Sequence, residues 1–300
     1  LVISDNPADT EVDSNNIVAE GNQFVWIPVN KDNLCVDGIE GKEVAEKIAS
    51  GTDYRGVLYD FSSGTPEKIE YSSTGRREPD VVTNDTNTDY LKIMNDILKN
   101  VDDNFTEFTN ADEFKSYMQT EYNNIINSIK INGGFYIGRY ESSLSSSDAD
   151  TDGATGNIQS KRNILPVGAD KSGAYRWYGL YAKQKEFAST LEGTTVKSAM
   201  IYGSMYDAVM NWALNDPTEA SKVTGPSTSR GLKQPTGTEV EEGKYDIIKN
   251  IYDLGNNMYE WTAEANSTSY RVFRGSFYDR TYSPSYRGDN FPNMYQKSLR

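Results

Sequence analysis

Hydrophobic residues fall into a few blocks separated by long polar stretches. The run Phe24–Val29 (FVWIPV) has the continuity of a buried strand, and Pro28 pushes it towards a sheet edge or a strand end. Residues 30–85 are polar and rich in Gly, Ser and Thr, with one short helix expected near Gly41–Ser50. Leu91, Met94, Leu98 and Val101 recur at helical spacing, predicting an amphipathic helix that starts after Thr88. Asn110 followed by Glu113 resembles a capping box. Phe114, Tyr117, Met118, Ile125 and Ile129 then mark one helical face, and Gly133-Gly134 end it. Core packing accounts for both helices.

Gly134–Tyr140 (GFYIGRY) is a second strand. Tyr175–Ala188 is a helix with a Trp/Tyr-rich face. Ser204–Leu214 is another, with Tyr206, Val209, Met210 and Ala213 on one side and Asp216-Pro217 as its stop. Residues 217–243 are punctuated by Pro217, Gly225, Pro226, Gly231, Pro235 and Gly237 and predict a loop. Strand-like runs follow at Ile247–Tyr252, Met258–Thr262 and Tyr270–Phe273. There is no internal repeat. Strands scattered between helices, without regular β–α alternation, predict the α+β class.

The first 22 residues carry five acids and no base, as a tail or linker would, although Val2 and Ile3 are able to add an edge strand. The chain begins with Leu1, so a leader was removed or the sequence was cut from a longer one; no signal segment is visible.

Composition narrows the chemistry. The 300 residues suggest one or two domains and contain no histidine, which removes imidazole bases, Ser-His-Asp and Cys-His catalysis, and His-held zinc or iron. The one cysteine, Cys35, removes internal disulfides and Cys-rich zinc sites. A net charge of −14 argues against a nucleic-acid partner. No run approaches the roughly 20 apolar residues of a membrane span. Acidity with Ser/Thr/Asn/Tyr richness suits an extracellular or cell-surface protein.

Five ordered segments carry a resemblance: Phe24–Val29, Gly134–Glu141 (GFYIGRYE), Asp253–Trp261 (DLGNNMYEW), Arg271–Phe277 (RVFRGSF), and Ser285-Tyr286-Arg287 with a closing Leu299-Arg300. Together they resemble the formylglycine-generating-enzyme (sulfatase-modifying factor) family, whose fold is a variant of the C-type lectin fold. The resemblance implies one lectin-like α+β domain over 23–300, with insertions at about 30–130 and 217–243. It also implies that the last strand, beginning near Leu299, is clipped or that its partner strand is short. Members of that family act through copper-binding cysteines near the C-terminus, and relatives that build thiohistidines hold iron with histidines. Neither residue set exists here, so the resemblance implies a scaffold without that catalysis.

A non-catalytic branch is the closer match. Variable proteins of diversity-generating retroelements display a C-terminal ligand surface rich in Tyr, Ser, Asp, Asn, Thr and Gly. Residues 278–296 (YDRTYSPSYRGDNFPNMYQ) have this palette. The resemblance implies that Tyr278, Arg280, Tyr282, Ser285, Tyr286, Arg287, Asn290 and Tyr295 meet a protein or glycan on another cell or particle, on a virion surface if phage-encoded. Composition supports this separately: residues 271–300 hold six bases and two acids. Tyrosine supplies large, stiff contact area, and arginine supplies bidentate hydrogen bonds. Arg271, Arg274 and Arg300 coincide with scaffold motifs and are expected to be structural; Arg280 and Arg287 are the better ligand residues, with Arg287 also within a motif.

The family's G-N-x-W-E-W segment wraps calcium. Carried over, the ligands are the Asp253 side chain, the Asn256 and Met258 carbonyls and the Glu260 carboxylate, all hard oxygen donors. Asn256 and Tyr259 replace a usual glycine and tryptophan. Asp148, Asp150, Asp152 and Gly153 match half an EF-hand loop, but Gln159 stands where the bidentate glutamate belongs, and a solvated acidic loop is expected. Asn84, Asn104 and Asn266 head glycosylation sequons. Two rival functions are a structural subunit of a pilus or phage tail, pairing through residues 1–22, and a hydrolase using two carboxylates in a deep pocket.

Overall fold

The computed structural model describes residues 1–6, 21–29, 45–47, 53–69, 72, 75–82, 90–100, 105–145, 156–167, 177–189, 195–225, 247–292, 297–298 and 300. In chain order the elements are β1 (Val2–Ser4), β2 (Gln23–Pro28), β3 (Ala45–Lys47), β4 (Tyr54–Gly56), β5 (Leu58–Asp60), β6 (Glu67–Ile69), α1 (Tyr90–Leu98), α2 (Ala111–Asn132), β7 (Gly134–Gly138), β8 (Ser143–Leu144), β9 (Ile158–Gln159), α3 (Trp177–Ser189), α4 (Gly203–Leu214), α5 (Ala220–Thr224), β10 (Ile247–Ile248), β11 (Ile251–Tyr252), β12 (Tyr259–Ala265), β13 (Arg271–Arg274), β14 (Arg287–Asn290) and β15 (Lys297–Ser298). The class is α+β.

Two sheets frame the core. The first has the order β1-β2-β7, all antiparallel, with Trp26 opposite Tyr136. Period-two alternation buries Val25 and Ile27 and leaves Phe24 and Trp26 half-buried. The edge-strand alternative is the one residues 2–4 adopt: Val2 lies opposite Val25, and Trp26 N donates to the Leu1 carbonyl. The remainder of the expected tail, 7–20, lies outside the described residues. The second sheet has the order β14-β13-β12-β15, with β15 parallel to β12. This two-residue strand ends two residues before Arg300; Leu299, where the last strand was expected to begin, lies outside the described residues.

Helix α2 follows its sequence signals. Asn110 Oδ1 accepts from the amides of Asp112 and Glu113, both at 3.0 Å. Glu113 reaches back to the Thr109 amide at 2.7 Å, one residue earlier than a simple capping box. Gly133, at φ +75°, closes the helix in the left-handed region. Helix α4 touches both β2 and β12, and its Tyr206, Val209, Met210 and Ala213 are fully buried.

Two local expectations are corrected, and a third gains a strand. Of the helix expected near Gly41–Ser50, the described residues Ala45–Lys47 form instead a strand paired antiparallel to β4, and the others lie outside the described residues. A segment that short cannot nucleate a helix alone, so an available strand partner decides. The 217–243 loop contains α5, anchored by the fully buried Val223. Residues 278–296, expected to form a polar ligand surface, contain β14. This strand pairs with β13 because Gly288 leaves room for the Phe273 ring, 2.4 Å from where a Cβ would stand.

Candidate functional site

The loop between β13 and β14 carries the aromatic surface. Gly275, at φ +76°, turns the chain out of β13, with the Leu254 carbonyl 2.5 Å from where a Cβ would stand. The loop backbone is then fixed from beneath. Arg274 Nε and Nη2 donate to the carbonyls of Tyr286 and Ser285, at 3.2 and 3.3 Å. Tyr206 Oη donates to the Pro284 carbonyl at 3.2 Å, and the Ser285 amide donates to the Val223 carbonyl at 3.2 Å. Above this frame the Tyr282 and Tyr286 rings stack, with centroids 4.1 Å apart and planes 10° from parallel. Tyr282 is 39% exposed. A second near-parallel pair, Tyr259 and Phe277, extends the aromatic ground, and Phe277 contacts Tyr278. Burial raises the Tyr286 phenol above its ordinary value, so it is a neutral donor at physiological pH.

The basic end of the chain is mostly interior. Arg271 is fully buried, its guanidinium 3.8 Å from the Trp177 ring centroid. Arg274 Nη1 meets Asp207 Oδ1 at 2.6 Å, with both side chains inaccessible. Arg287 donates to Asp207 Oδ2 at 2.7 Å, to Glu264 Oε2 at 3.1 Å and to the Tyr59 carbonyl at 2.5 Å. Its guanidinium is engaged in this network, the structural contacts that its motif position allowed. Arg280 remains outside, 58% exposed beside Asp279. Ser285 is buried with its hydroxyl on Ser283, and Asn290 accepts from the Phe291 amide. Tyr295 lies outside the described residues, as do Asp148, Asp150 and Asp152.

Beside the loop, where the Tyr278 amide donates to the Asn257 carbonyl at 3.0 Å, lies a buried acidic turn. Asp253, Asn256, Met258 and Glu260 are all buried. The turn holding them has Asp253 at φ +61° and Asn257 at φ +62°. Sequence reasoning gave no role to Glu141, although its Y-E motif was visible. Glu141 Oε2 accepts from Asn257 Nδ2 at 2.7 Å, and its Oε1 accepts from the Met258 amide at 3.0 Å. Burial, then the neighbouring charges of Asp253 and Glu260, push its carboxyl well above the usual range. Glu260 Oε1 pairs with Arg300 at 2.6 Å, but burial still raises its carboxyl.

Two oxygens here have no hydrogen-bond partner: Asn256 Oδ1 and Glu260 Oε2. Buried acceptors without partners are rare and point to a missing counterpart. Both belong to residues of the expected calcium set, and the donors are hard oxygens, so the residues fit the ion. Among the described residues no three acidic side chains form a ready-made metal cluster. An ion here would depend on amide and carbonyl oxygens beside the carboxylate.

A separate cavity of about 320 Å³ opens beside α2, lined by Asp53, Arg55, Pro79, Asp80, Lys115 and Gln119 among others. Its carboxylates are engaged. Asp80 binds Arg77 at 2.7 Å and Lys115 at 3.1 Å, and Asp53 accepts from Asn123 at 3.0 Å. Among the described residues no helix is long and apolar enough to cross a membrane.

No family profile matches the chain, and no curated protein matches it. Among solved structures, the crystal structure of CarF is similar over 55% of this chain and 85% of that chain, with 16% identity and a TM-score of 0.34. A likeness that distant carries no argument about fold or activity.

Proposed function

We propose that this chain is a non-enzymatic recognition domain of C-type-lectin-like architecture, akin to the variable proteins of diversity-generating retroelements. Tyr278, Arg280, Tyr282 and Tyr286 meet a protein or glycan outside the cell, on a cell or virion surface. The observation that carries this reading is the stacked Tyr282–Tyr286 pair on a loop whose backbone is pinned by Arg274, Tyr206 and Val223. A pre-ordered aromatic surface loses little entropy on binding. The test is capture on glycan and protein arrays by the wild type and by a Tyr282→Ala/Arg280→Ala variant. Capture lost at unchanged melting temperature supports the reading; capture retained, or turnover of an arrayed glycan, overturns it.

Calcium is the proposed ion of the Asp253–Glu260 turn, in a structural role beside the loop. The support is the pair of unpartnered oxygens on Asn256 and Glu260. A calcium-dependent rise in melting temperature that EDTA reverses is the expected result.

A filament subunit is the second reading, and the position of β1 at a sheet edge favours it, since edges accept strands from neighbours. Assembly that disappears when residues 1–6 are deleted would establish it; a monomer with and without them removes it.

A further inference from the structure

We infer that the cavity beside α2 is a second binding site, built from other residues than the aromatic loop, and that it takes one neutral sugar ring by its hydroxyls, free or at the end of a glycan. The inference does not depend on what the aromatic loop binds.

The wall between α2 and β4 is ordered before any ligand arrives. The Tyr54 amide donates to Asn123 Oδ1 at 2.9 Å, and the Tyr54 carbonyl accepts from Gln119 Nε2 at 2.7 Å. A main-chain N–H only donates and a main-chain carbonyl only accepts, so these two bonds fix which way both side-chain amides face. Asn123 Nδ2 then donates to Asp53 Oδ1 at 3.0 Å, and Gln119 Nε2 donates again, to Asn123 Oδ1 at 3.0 Å. Both Gln119 amide protons are thereby used, and its Oε1 is left as an acceptor. Asp53 is engaged through Oδ1; among the described residues its Oδ2 has no hydrogen-bond partner. Ser116 and Thr120 line the same cavity one helical turn apart. Ser116 Oγ donates to the Asp112 carbonyl and Thr120 Oγ1 to the Ser116 carbonyl, each at 3.0 Å. Each hydroxyl has spent its one proton on the helix and offers the cavity lone pairs.

This inventory selects the ligand. A wall of acceptors calls for a molecule that brings hydrogen-bond donors. An ammonium or guanidinium group would bring them, but Arg55 and Lys115 line the same cavity and repel a cation. Asp80 is already held by Arg77 at 2.7 Å and Lys115 at 3.1 Å, so its charge is answered. An anion would face Asp53 and a row of lone pairs. Hydroxyl groups suit both sides: they donate to Asp53, Gln119, Ser116 and Thr120, and they accept from Lys115, whose ammonium has more protons than its contact with Asp80 uses. Pro79 adds an apolar surface for the C–H face of a ring. The volume of about 320 Å³ lies at the small end of ligand cavities, about 300–1,000 Å³, and the polar lining sets this one apart from the apolar majority.

The experiment titrates the full chain with glucose, galactose and mannose and with their methyl glycosides, read by saturation-transfer NMR and calorimetry. The free sugars represent one source and the methyl glycosides a chain end, so the better binder identifies the source. Lysine amide is the cationic comparison. The wild type should bind at least one sugar and not lysine amide. Asp53→Asn should weaken that binding about 10-fold or more, the worth of a hydrogen bond to a charged group. Thr120→Val keeps the side-chain shape, removes an exposed hydroxyl and should weaken it by a smaller factor. If Asp53→Asn does not fold, Thr120→Val decides. No response to any of the sugars overturns the inference, as does binding of lysine amide in their place. Sugar binding that survives Asp53→Asn and Thr120→Val but is lost in Tyr282→Ala/Arg280→Ala also overturns it, because the sugar then sits on the aromatic loop.

Discussion

Two buried ionic clusters sit beside the same aromatic loop, and they are built differently. Around Asp207, acids and bases are directly paired: Asp207 and Glu264 face Arg274 and Arg287 at 2.6 to 3.1 Å, and Arg76 reaches Glu264 at 3.5 Å. Arg274 also spends its donors on the carbonyls of the loop, so this cluster is a closed structural device. Around Glu260, Arg300 meets Oε1 at 2.6 Å, while Glu260 Oε2 and Asn256 Oδ1 have no hydrogen-bond partner. The first cluster ties the loop to the core; the second is where an ion is proposed. Burial alone does not separate the two clusters, whereas the completeness of their hydrogen bonds does.

Breaking the closed cluster should have the largest effect. Arg274→Ala strands the inaccessible Asp207 carboxylate and frees the loop carbonyls. We expect a loss of about 3–5 kcal/mol in urea unfolding. A loss below about 1 kcal/mol would show that water reaches the cluster.

Glu78 gives the next effect. It accepts from the Ser204 amide at 3.1 Å and the Ser204 hydroxyl at 2.5 Å, and from the Gly203 amide, at the start of α4. Burial outweighs these donors and raises its carboxyl to about 8 from 4.5, with Glu264 adding to the rise. The folded state therefore holds its proton more tightly than the unfolded state. The stability from this proton is fully present below about 4.5 and is lost as pH rises through about 8. Stability should fall by a few kcal/mol, in order of magnitude, across that window, and Glu78→Gln should flatten the profile. An unchanged slope in the variant would remove the assignment.

Filling the open cluster is a comparable test of opposite sign. Ca²⁺ at about 100 times its dissociation constant adds roughly 2.7 kcal/mol, or about 5–10 °C in melting temperature. Glu260→Gln should abolish that gain. A gain of similar size in an Arg274→Ala background would show that the two clusters are independent.

The smallest stability change belongs to the surface. Tyr282→Ala removes a 39%-exposed ring and should cost less than about 1 kcal/mol by calorimetry while eliminating ligand capture. A large loss of stability would mean that the stacked pair is a packing element.

Much of the framework was legible along the chain. The helix over Ala111–Asn132 follows from Asn110, its apolar face and Gly133, and the strands at Phe24 and Gly134 follow from apolar runs bounded by turn residues. Such signals are local, so they survive without knowledge of partners. The strand at Ala45–Lys47 was not legible, because its pairing with Tyr54–Gly56 is tertiary. Nor was β14, which depends on Gly288 lying against Phe273.

The candidate site divides in the same way. Tyrosine enrichment near the C-terminus and the oxygen-rich turn at Asp253–Glu260 could be read from residue order. The fate of the basic end could not. Six bases in the last 30 residues suggest a positive surface, yet Arg271, Arg274, Arg287 and Arg300 are turned inward onto Trp177, Asp207, Glu264 and Glu260.

By itself the sequence determined the class of fold, the absence of imidazole and paired-thiol chemistry, and which stretch is aromatic. Only the tertiary structure decided which charges remain outside. A charge count sums residues wherever they sit, but a buried arginine finds its partner across the fold, at separations such as the 67 residues between Asp207 and Arg274. The same long-range pairing joins Glu141 to Asn257, 116 residues away, and Glu260 to Arg300, 40 residues away, contacts that exist only once segments distant in sequence lie side by side.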